Sequence, residues 1–343
     1  MNKLYRSAIF LILIITIFAV SGCSGKSAAG DPETTGLKNE KMNLTLLGSS
    51  PNGPGLIIMN GLAECINKSY PDSIVTNIPG NLATNIIRIN NNEADACMTN
   101  TFMALAATSG EDPYEKKMDN LAAVTYLMPE VYQIVINDDL GIDSFNDFID
   151  NKMKIRISAG MTGSATAQFV QQLLSAYGLS IQDTIDWGCE IVYQNIDNSA
   201  QMLTDNRIDM MVVGIFLPTP TIQELAQNKD IALLTIDPEV INKLCSQQKY
   251  YNYVIPAGTY TFLKEDLKTV NNNAIIAVPK NSSEENVYKM TKAFHENLDY
   301  LKTIHASMAG ITAEQMINNL GIDLHPGAEK YYREAGIIPQ KQN

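Results

Sequence analysis

Lys154-Ile155-Arg156-Ile157-Ser158-Ala159-Gly160-Met161-Thr162-Gly163-Ser164-Ala165-Thr166 is the stretch that decides the fold. Lys154–Ile157 alternates polar and apolar residues and reads as a short strand, and Ser158–Ser164 reads as a Gly/Ser/Thr loop. Beyond it, Phe169, Val170, Leu173, Leu174 and Tyr177 share one helical face, with Gly178 placed to stop the helix. A strand at Glu190–Tyr193, a helix at about Asn198–Thr204 and a third strand at Asp209–Val213 complete the unit. The same order occurs upstream. A strand (Asn43–Leu47) meets a Gly/Ser/Pro loop (Gly48–Gly55), and the next helix carries Ile58, Leu62 and Ile66 on one face. A strand (Ile74–Ile78), a short helix (about Leu82–Ile89) and a third strand (Ala94–Met98) follow. The approaches to the two third strands also match: Asn92-Glu93-Ala94-Asp95 and Asn206-Arg207-Ile208-Asp209.

Strand-helix-strand-helix-strand demands a parallel sheet with right-handed crossovers. Two such units predict an α/β protein of two lobes. Leu121–Ile136, extended and rich in β-branched residues, carries the chain from the first lobe to the second. Ala274–Val278 reads as a strand of the return, followed by a long amphipathic helix with Val287, Met290, Phe294, Leu298 and Leu301 on one face. Two crossings make a hinge. The expected division is residues 42–135 plus 255–343 for lobe one and 136–254 for lobe two. A shorter helix at about Thr312–Leu320 and the tail Pro326–Gly336 are expected to pack outside.

The 343 residues suffice for about two domains. With 18% charged residues and 45% hydrophobic ones, disorder is excluded, and a net charge of −12 argues against nucleic acid as a ligand. Lys3 and Arg6 precede an apolar run, Ala8–Val20, that is too short for a bilayer span of about 20 residues. Val20-Ser21-Gly22-Cys23 resembles a bacterial lipobox, so residues 1–22 are expected to be a lipoprotein signal peptide. Cys23 would carry the diacylglycerol and acyl (palmitate-type) chains that hold a protein on the membrane surface. Residues 23–41 then form a flexible tether, and the body is expected to be extracytoplasmic.

In open parallel sheets the ligand lies beyond the carboxyl ends of the strands. Four loops converge there: one with Ser49, Ser50 and Asn52; one with Thr99, Asn100 and Thr101; one with Thr162, Gly163, Ser164, Ala165 and Thr166; and one with Gly214 and Phe216. Glycines allow close backbone approach, hydroxyls add donors, and helix N-termini favour carboxylates. Tyr126 lies near the first crossover and is a candidate pocket wall. No Arg or Lys falls in these loops, so a carboxylate would rest on backbone N–H groups, hydroxyls and Asn100; a neutral ligand stays open.

In the order of these features the chain resembles the TAXI-type solute receptors of TRAP (tripartite ATP-independent periplasmic) transporters, over roughly Met42–Ile337. The carrying segments are Leu46-Leu47-Gly48, Asn91-Asn92-Glu93-Ala94-Asp95-Ala96 with Thr99-Asn100-Thr101, Ile142-Asp143-Ser144-Phe145, Ile155–Gly160 with Thr162–Thr166, Ile208–Gly214 and His325-Pro326-Gly327-Ala328. The resemblance implies a type II periplasmic-binding-protein fold and a small solute of the amino-acid, dicarboxylate or 2-oxo-acid class. It also implies delivery to ion-gradient-driven TRAP membrane subunits; separately, no cofactor and no metal are expected. A receptor of an ATP-driven importer or a ligand sensor would use the same fold. An enzyme is not expected: His295, His305 and His325 all lie in the C-terminal section, away from the four loops, and no nucleophile–base or metal-ligand spacing occurs. Cys65, Cys97, Cys189 and Cys245 match no metal motif and are expected to be buried thiols, although the compartment permits a disulfide. Trp187, the only Trp, is expected to be structural.

Overall fold

The computed structural model describes residues 41–49 and 54–340. The first unit consists of β1 (Asn43–Leu47), α1 (Pro54–Ser69), β2 (Ile74–Ile78), α2 (Leu82–Asn90), β3 (Ala96–Asn100) and α3 (Thr101–Ser109). β4 (Ala122–Asn137) leads into the second: α4 (Phe145–Asp150), β5 (Arg156–Ser158), α5 (Ala165–Ala176), α6 (Ile181–Asp186), β6 (Glu190–Val192), α7 (Ile196–Thr204), β7 (Met210–Ile215), α8 (Pro220–Asn228), β8 (Ile231–Leu233) and α9 (Pro238–Gln248). The chain returns through β9 (Tyr251–Ile255) and β10 (Leu267–Val278), then adds α10 (Glu284–Glu296), α11 (Leu298–Ile304) and α12 (Pro326–Glu334).

All ten strands join one sheet in the order β2-β1-β3-β10-β4-β7-β5-β6, with β8 beside β4 and β9 beside β10. The triples β2-β1-β3 and β6-β5-β7 are parallel. β10 lies antiparallel to β3, and β4 antiparallel to β7, so each triple is closed by a strand arriving from the other half. β4 and β10 pair from Val131 to Ala122 and form the spine.

The duplication reaches individual hydrogen bonds. Asn81 and Asn195 cap α2 and α7, and each accepts from a backbone N–H of the first turn, a side-chain role typical of Asn at this position. After each helix an Asn takes a left-handed turn, Asn92 at φ 59° and Asn206 at φ 55°. Asp95 Oδ2 then accepts from Thr45 N at 2.7 Å while its own N–H bonds Thr45 O. Asp209 Oδ2 accepts from Arg156 N at 2.8 Å while its N–H bonds Arg156 O. In each half one aspartate thus fixes the start of the third strand against the first.

Two apolar clusters back each half. Ile58, Leu62, Ile276 and Phe294 lie in one and Ile86, Met103 and Ile275 in another, on opposite faces of the same sheet region. Ile134, Phe169, Leu173 and Val270 form the third, and Val135, Leu203, Ile222 and Ile255 the fourth. Alternate residues of β10 feed opposite faces, as strand geometry requires, and each such buried aliphatic contributes roughly 1.5–3 kcal/mol. Trp187 packs beside Phe148, with ring centroids 6.1 Å apart. Cys65, Cys97, Cys189 and Cys245 are free thiols.

Several expected elements differ. β10 starts at Leu267, not Ala274, because the triplet Asn271-Asn272-Asn273, loop-like in sequence, is buried and paired inside the sheet. The long amphipathic helix breaks at Asn297 into α10 and α11. Thr312–Leu320 forms only a 3-10 turn, Gln315–Ile317, capped by Asn318 and followed by Asn319 at φ 51°. The tail is no mere outer layer: α12 buries Ala328 and Tyr332 in the cluster of α1 and α10.

Candidate ligand-binding site

Where β3 and β7 end, the spine strands present their middles. Asn272 of β10 stands directly opposite Glu130 of β4, a cross-strand pair whose side chains share one face about 5 Å apart. Tyr132, two residues on, shares that face, and its hydroxyl accepts from Asn272 Nδ2 at 2.8 Å. Asn100, the last residue of β3, donates from Nδ2 to Glu130 Oε2 at 2.9 Å. Its own carbonyl oxygen is already used, since it caps α3 by accepting from Met103 N at 2.9 Å. Asn100 therefore reaches Glu130 only as a donor.

Glu130 is enclosed by protein yet keeps part of its surface open, and burial, opposed by the Asn100 hydrogen bond, pushes its carboxyl up to about 7. The Tyr132 hydroxyl is driven upward by burial and by Tyr250. Tyr132 stacks on Phe169 at 4.0 Å and meets Tyr250 edge-on at 5.4 Å, while Phe102 of α3 stacks on Tyr250 at 6.0 Å. This aromatic group joins the two halves beside the carboxyl. Gln168 Nε2 adds a second bridge to Asp112 Oδ2 at 3.2 Å.

The residues singled out in the sequence have different fates. Asn100, Thr166 and Gly214 gather at this centre: Thr166 Oγ1 accepts from Gly214 N at 3.3 Å, and a Cβ on Gly214 would sit 2.5 Å from the Tyr132 ring. Ser164 caps α5 by accepting from Ala167 N, and Ala165 packs across onto the cluster of β3 and α3. Ser49 lies at the exit of β1 with a buried hydroxyl that has no partner. A second group serves structure. Thr99 Oγ1 donates to Leu82 O, Thr101 Oγ1 accepts from Asn273 N, and Phe216 packs into the cluster of α1. Thr162 and Gly163 are exposed in the loop before α5. Tyr126 lines a cavity of about 390 Å³ with Pro129, Asn271, Asn273 and Tyr253. Pro129, Asn271 and Asn273 are immediate neighbours of Glu130 and Asn272 in their strands, so they face the other side of the sheet. Ser50, Asn52 and Cys23 lie outside the described residues.

One expectation fails. His305 is not remote from the four loops: its ring meets Phe216 edge-on at 4.5 Å, because α11 brings the C-terminal section over the end of β7. Sequence reasoning missed Glu130, Tyr132 and Asn272. The available signals were an acidic residue interrupting the apolar run Leu121–Ile136 and an Asn triplet between two apolar segments. Among the described residues, no cluster of three or more His, Cys, Asp or Glu is arranged to hold a metal, and no helix is long and apolar enough to cross a membrane.

Among solved structures, the chain is similar to PhnD1 from Prochlorococcus marinus (MIT 9301) in complex with methylphosphonate, at 12% identity and TM-score 0.52, covering 86% of this chain and 99% of that one. It is also similar to a binding protein component of an ABC phosphonate transporter from Pseudomonas aeruginosa, at 12% identity and TM-score 0.51, covering 78% and 79%. The periplasmic binding protein BugD matches at 13% identity and TM-score 0.51, covering 88% and 99%. At these identities the likeness is one of fold, and it agrees with the α/β periplasmic-binding architecture read from the sequence. Residues 54–336, spanning α1 to the end of α12, match a family description directly, and the chain belongs to the NMT1-like family.

Proposed function

We propose that this protein is an extracytoplasmic solute-binding protein, anchored by lipid on Cys23, that captures a small organic solute by closure of two lobes and delivers it to a membrane importer. The observation that carries this reading is the arrangement at the centre of the sheet. Two duplicated α/β units direct their strand ends toward one polar floor, and β4 and β10 both run from one unit to the other. Such a connection suits a hinge. The lobes we assign follow residues 42–135 plus 255–343 and residues 136–254, except that β4 after Glu130 and β10 before Asn272 pack with the second, where Val131, Val135, Leu267 and Val270 lie in its clusters. The solute belongs to the carboxylate or amino-acid classes.

An ATP-driven importer is the better supported partner, since the Pseudomonas aeruginosa neighbour is a component of an ABC transporter. Delivery to a TRAP membrane subunit rests on the ordered sequence motifs alone. Small-angle scattering of the Cys23→Ser protein, with and without a solute that raises its melting temperature, tests the closure. Compaction at saturation is expected, and an unchanged radius of gyration counts against it.

A further inference from the structure

We infer that the polar group at the middle of the spine is an ammonium site: Glu130 and Asn272 together bind the protonated amine of the solute. This rests on the receptor reading and narrows its substrate class, setting amino acids and amines apart from dicarboxylates, 2-oxo acids and phosphonates.

Four observations carry it. Glu130 and Asn272 are a direct cross-strand pair on one face of the spine. Asn272 is fully buried, its Nδ2 is spent on the Tyr132 hydroxyl, and its Oδ1 has no hydrogen-bond partner. Glu130 has one partner, Asn100 Nδ2 on Oε2, and among the described residues no Lys, Arg or His pairs with it. Asn272 Oδ1 therefore lacks a donor, and the adjacent Glu130, with a single donor, lacks a countercharge. Finally, Tyr132, whose hydroxyl bonds Asn272, and the rings of Phe169 and Tyr250 packed on it surround this point with apolar material, which strengthens a charge-assisted hydrogen bond made there.

The chemistry selects the ligand. A buried carboxylate without a countercharge is costly, and so is a buried amide oxygen without a donor. An ammonium group has three N–H donors and no acceptor. It supplies one donor to Glu130 and one to Asn272 while neutralising the charge. A phosphonate, sulfonate or second carboxylate brings only acceptors and like charge to the same place. A carboxylate elsewhere on the solute is compatible, since the N-terminal turns of α1 and α5 follow the two glycine-bearing loops.

The titration of Glu130 agrees with this geometry. Its upward shift comes from burial, with Asn100 the opposing influence and no other charged group acting on it. The phenols nearest it on β4 and after α9, Tyr132 and Tyr250, both titrate above the neutral range. Amine binding should therefore weaken as pH falls below about 7, where an empty site takes up a proton instead.

The test is a thermal-shift and calorimetric panel on the Cys23→Ser protein. The amine probes are L-leucine, L-glutamine, L-lysine and putrescine. The anion probes are succinate, 2-oxoglutarate, methylphosphonate and methanesulfonate. Stabilisation by at least one amine and by none of the anions is expected, with L-amino acids separated from putrescine according to whether a carboxylate is also read. Glu130→Gln should weaken that amine roughly 10- to 100-fold, the size of a lost charge-assisted hydrogen bond. Glu130→Asp, which keeps the charge, should lose less. Stabilisation by anions alone, or undiminished amine affinity in Glu130→Gln, overturns the inference and leaves the receptor reading standing. Stabilisation by no probe overturns the inference and counts against the receptor reading as well.

Discussion

The unliganded protein should become more stable when Glu130 is replaced by Gln. In the folded protein this carboxyl titrates at about 7, against an ordinary value of 4.5. The folded state thus holds the proton more tightly than the unfolded state. The residue costs nothing below about pH 4.5, grows unfavourable as pH rises, and levels off above pH 7. A shift of this size corresponds to roughly 3 kcal/mol at pH 8, and the partial exposure of Glu130 reduces this to about 2 kcal/mol. Gln is nearly isosteric. Its carbonyl oxygen can still accept from Asn100, and its amide offers a donor to the unpartnered Oδ1 of Asn272. Stripped of ligand by unfolding, dialysis and refolding, the variant should melt about 5 °C above wild type at pH 8. The gap should close toward pH 4.5. A variant that melts at or below the wild type at pH 8, or a gap independent of pH, would show that Glu130 is not an unpaired buried carboxyl and would remove the physical basis of the ammonium site.

The duplicated aspartates should differ in weight. Asp209→Ala breaks bonds to Arg156 N, Nε and Nη2 and should cost about 2 kcal/mol in urea denaturation, whereas Asp95→Ala breaks a single exposed bond to Thr45 N and should cost about 1 kcal/mol; equal losses would contradict this. Burial raises the Asp209 carboxyl, but the Arg156 hydrogen bonds outweigh it and hold it below the ordinary range, so its contribution persists at neutral pH and disappears on acidification below about pH 4. Gly214→Ala forces a methyl into the Tyr132 ring and should cost roughly 1–3 kcal/mol and weaken solute binding, read by melting temperature and calorimetry. In the Cys23→Ser protein, Ellman's reagent should reach Cys245 first; Cys65, pushed up to about 12 by burial, and the fully buried Cys97 should react only on unfolding. The same Cys23→Ser change should release the protein from the membrane fraction, and retention there would refute the lipid anchor.

The fold was legible because it repeats. Two units with the same element order, each entering its third strand through a matching segment, Asn92-Glu93-Ala94-Asp95 and Asn206-Arg207-Ile208-Asp209, give a pattern that one unit alone would not, and β1 and β2 fall where their apolar residues place them. The errors cluster where tertiary contacts override local preference. Asn271-Asn272-Asn273 belongs to a loop by propensity. It is held in β10 because β4 and β9 supply its backbone partners and Tyr132, Asn319 and Thr101 engage its side chains or backbone. Reasoning from loops found Asn100 and Gly214, which lie at strand ends, and Thr166, which lies in the first turn of α5. It missed Glu130, Tyr132 and Asn272 because they lie in mid-strand, where side chains normally report core packing.

The placement of polar residues bears on how the halves would move. On β4 and β10 the aliphatic side chains stop on either side of Pro129-Glu130 and Asn271–Asn273. Pro129 brings no N–H to the ladder opposite Asn273, and the pairing shifts register one step beyond, between Ala274 and Ile275. The spine is therefore weakest in regular hydrogen bonding and poorest in apolar contacts at one level. Bending there moves Glu130, Tyr132 and Asn272, together with the few contacts that cross between the halves: Phe216 in the cluster of α1, Ala165 on the cluster of β3 and α3, and Phe102 on Tyr250. A solute ammonium bridging Glu130 on β4 and Asn272 on β10 would span both crossing strands at that level. On this argument the energy of binding is delivered at the pivot itself, and the two halves need no separate device to sense that the site is filled.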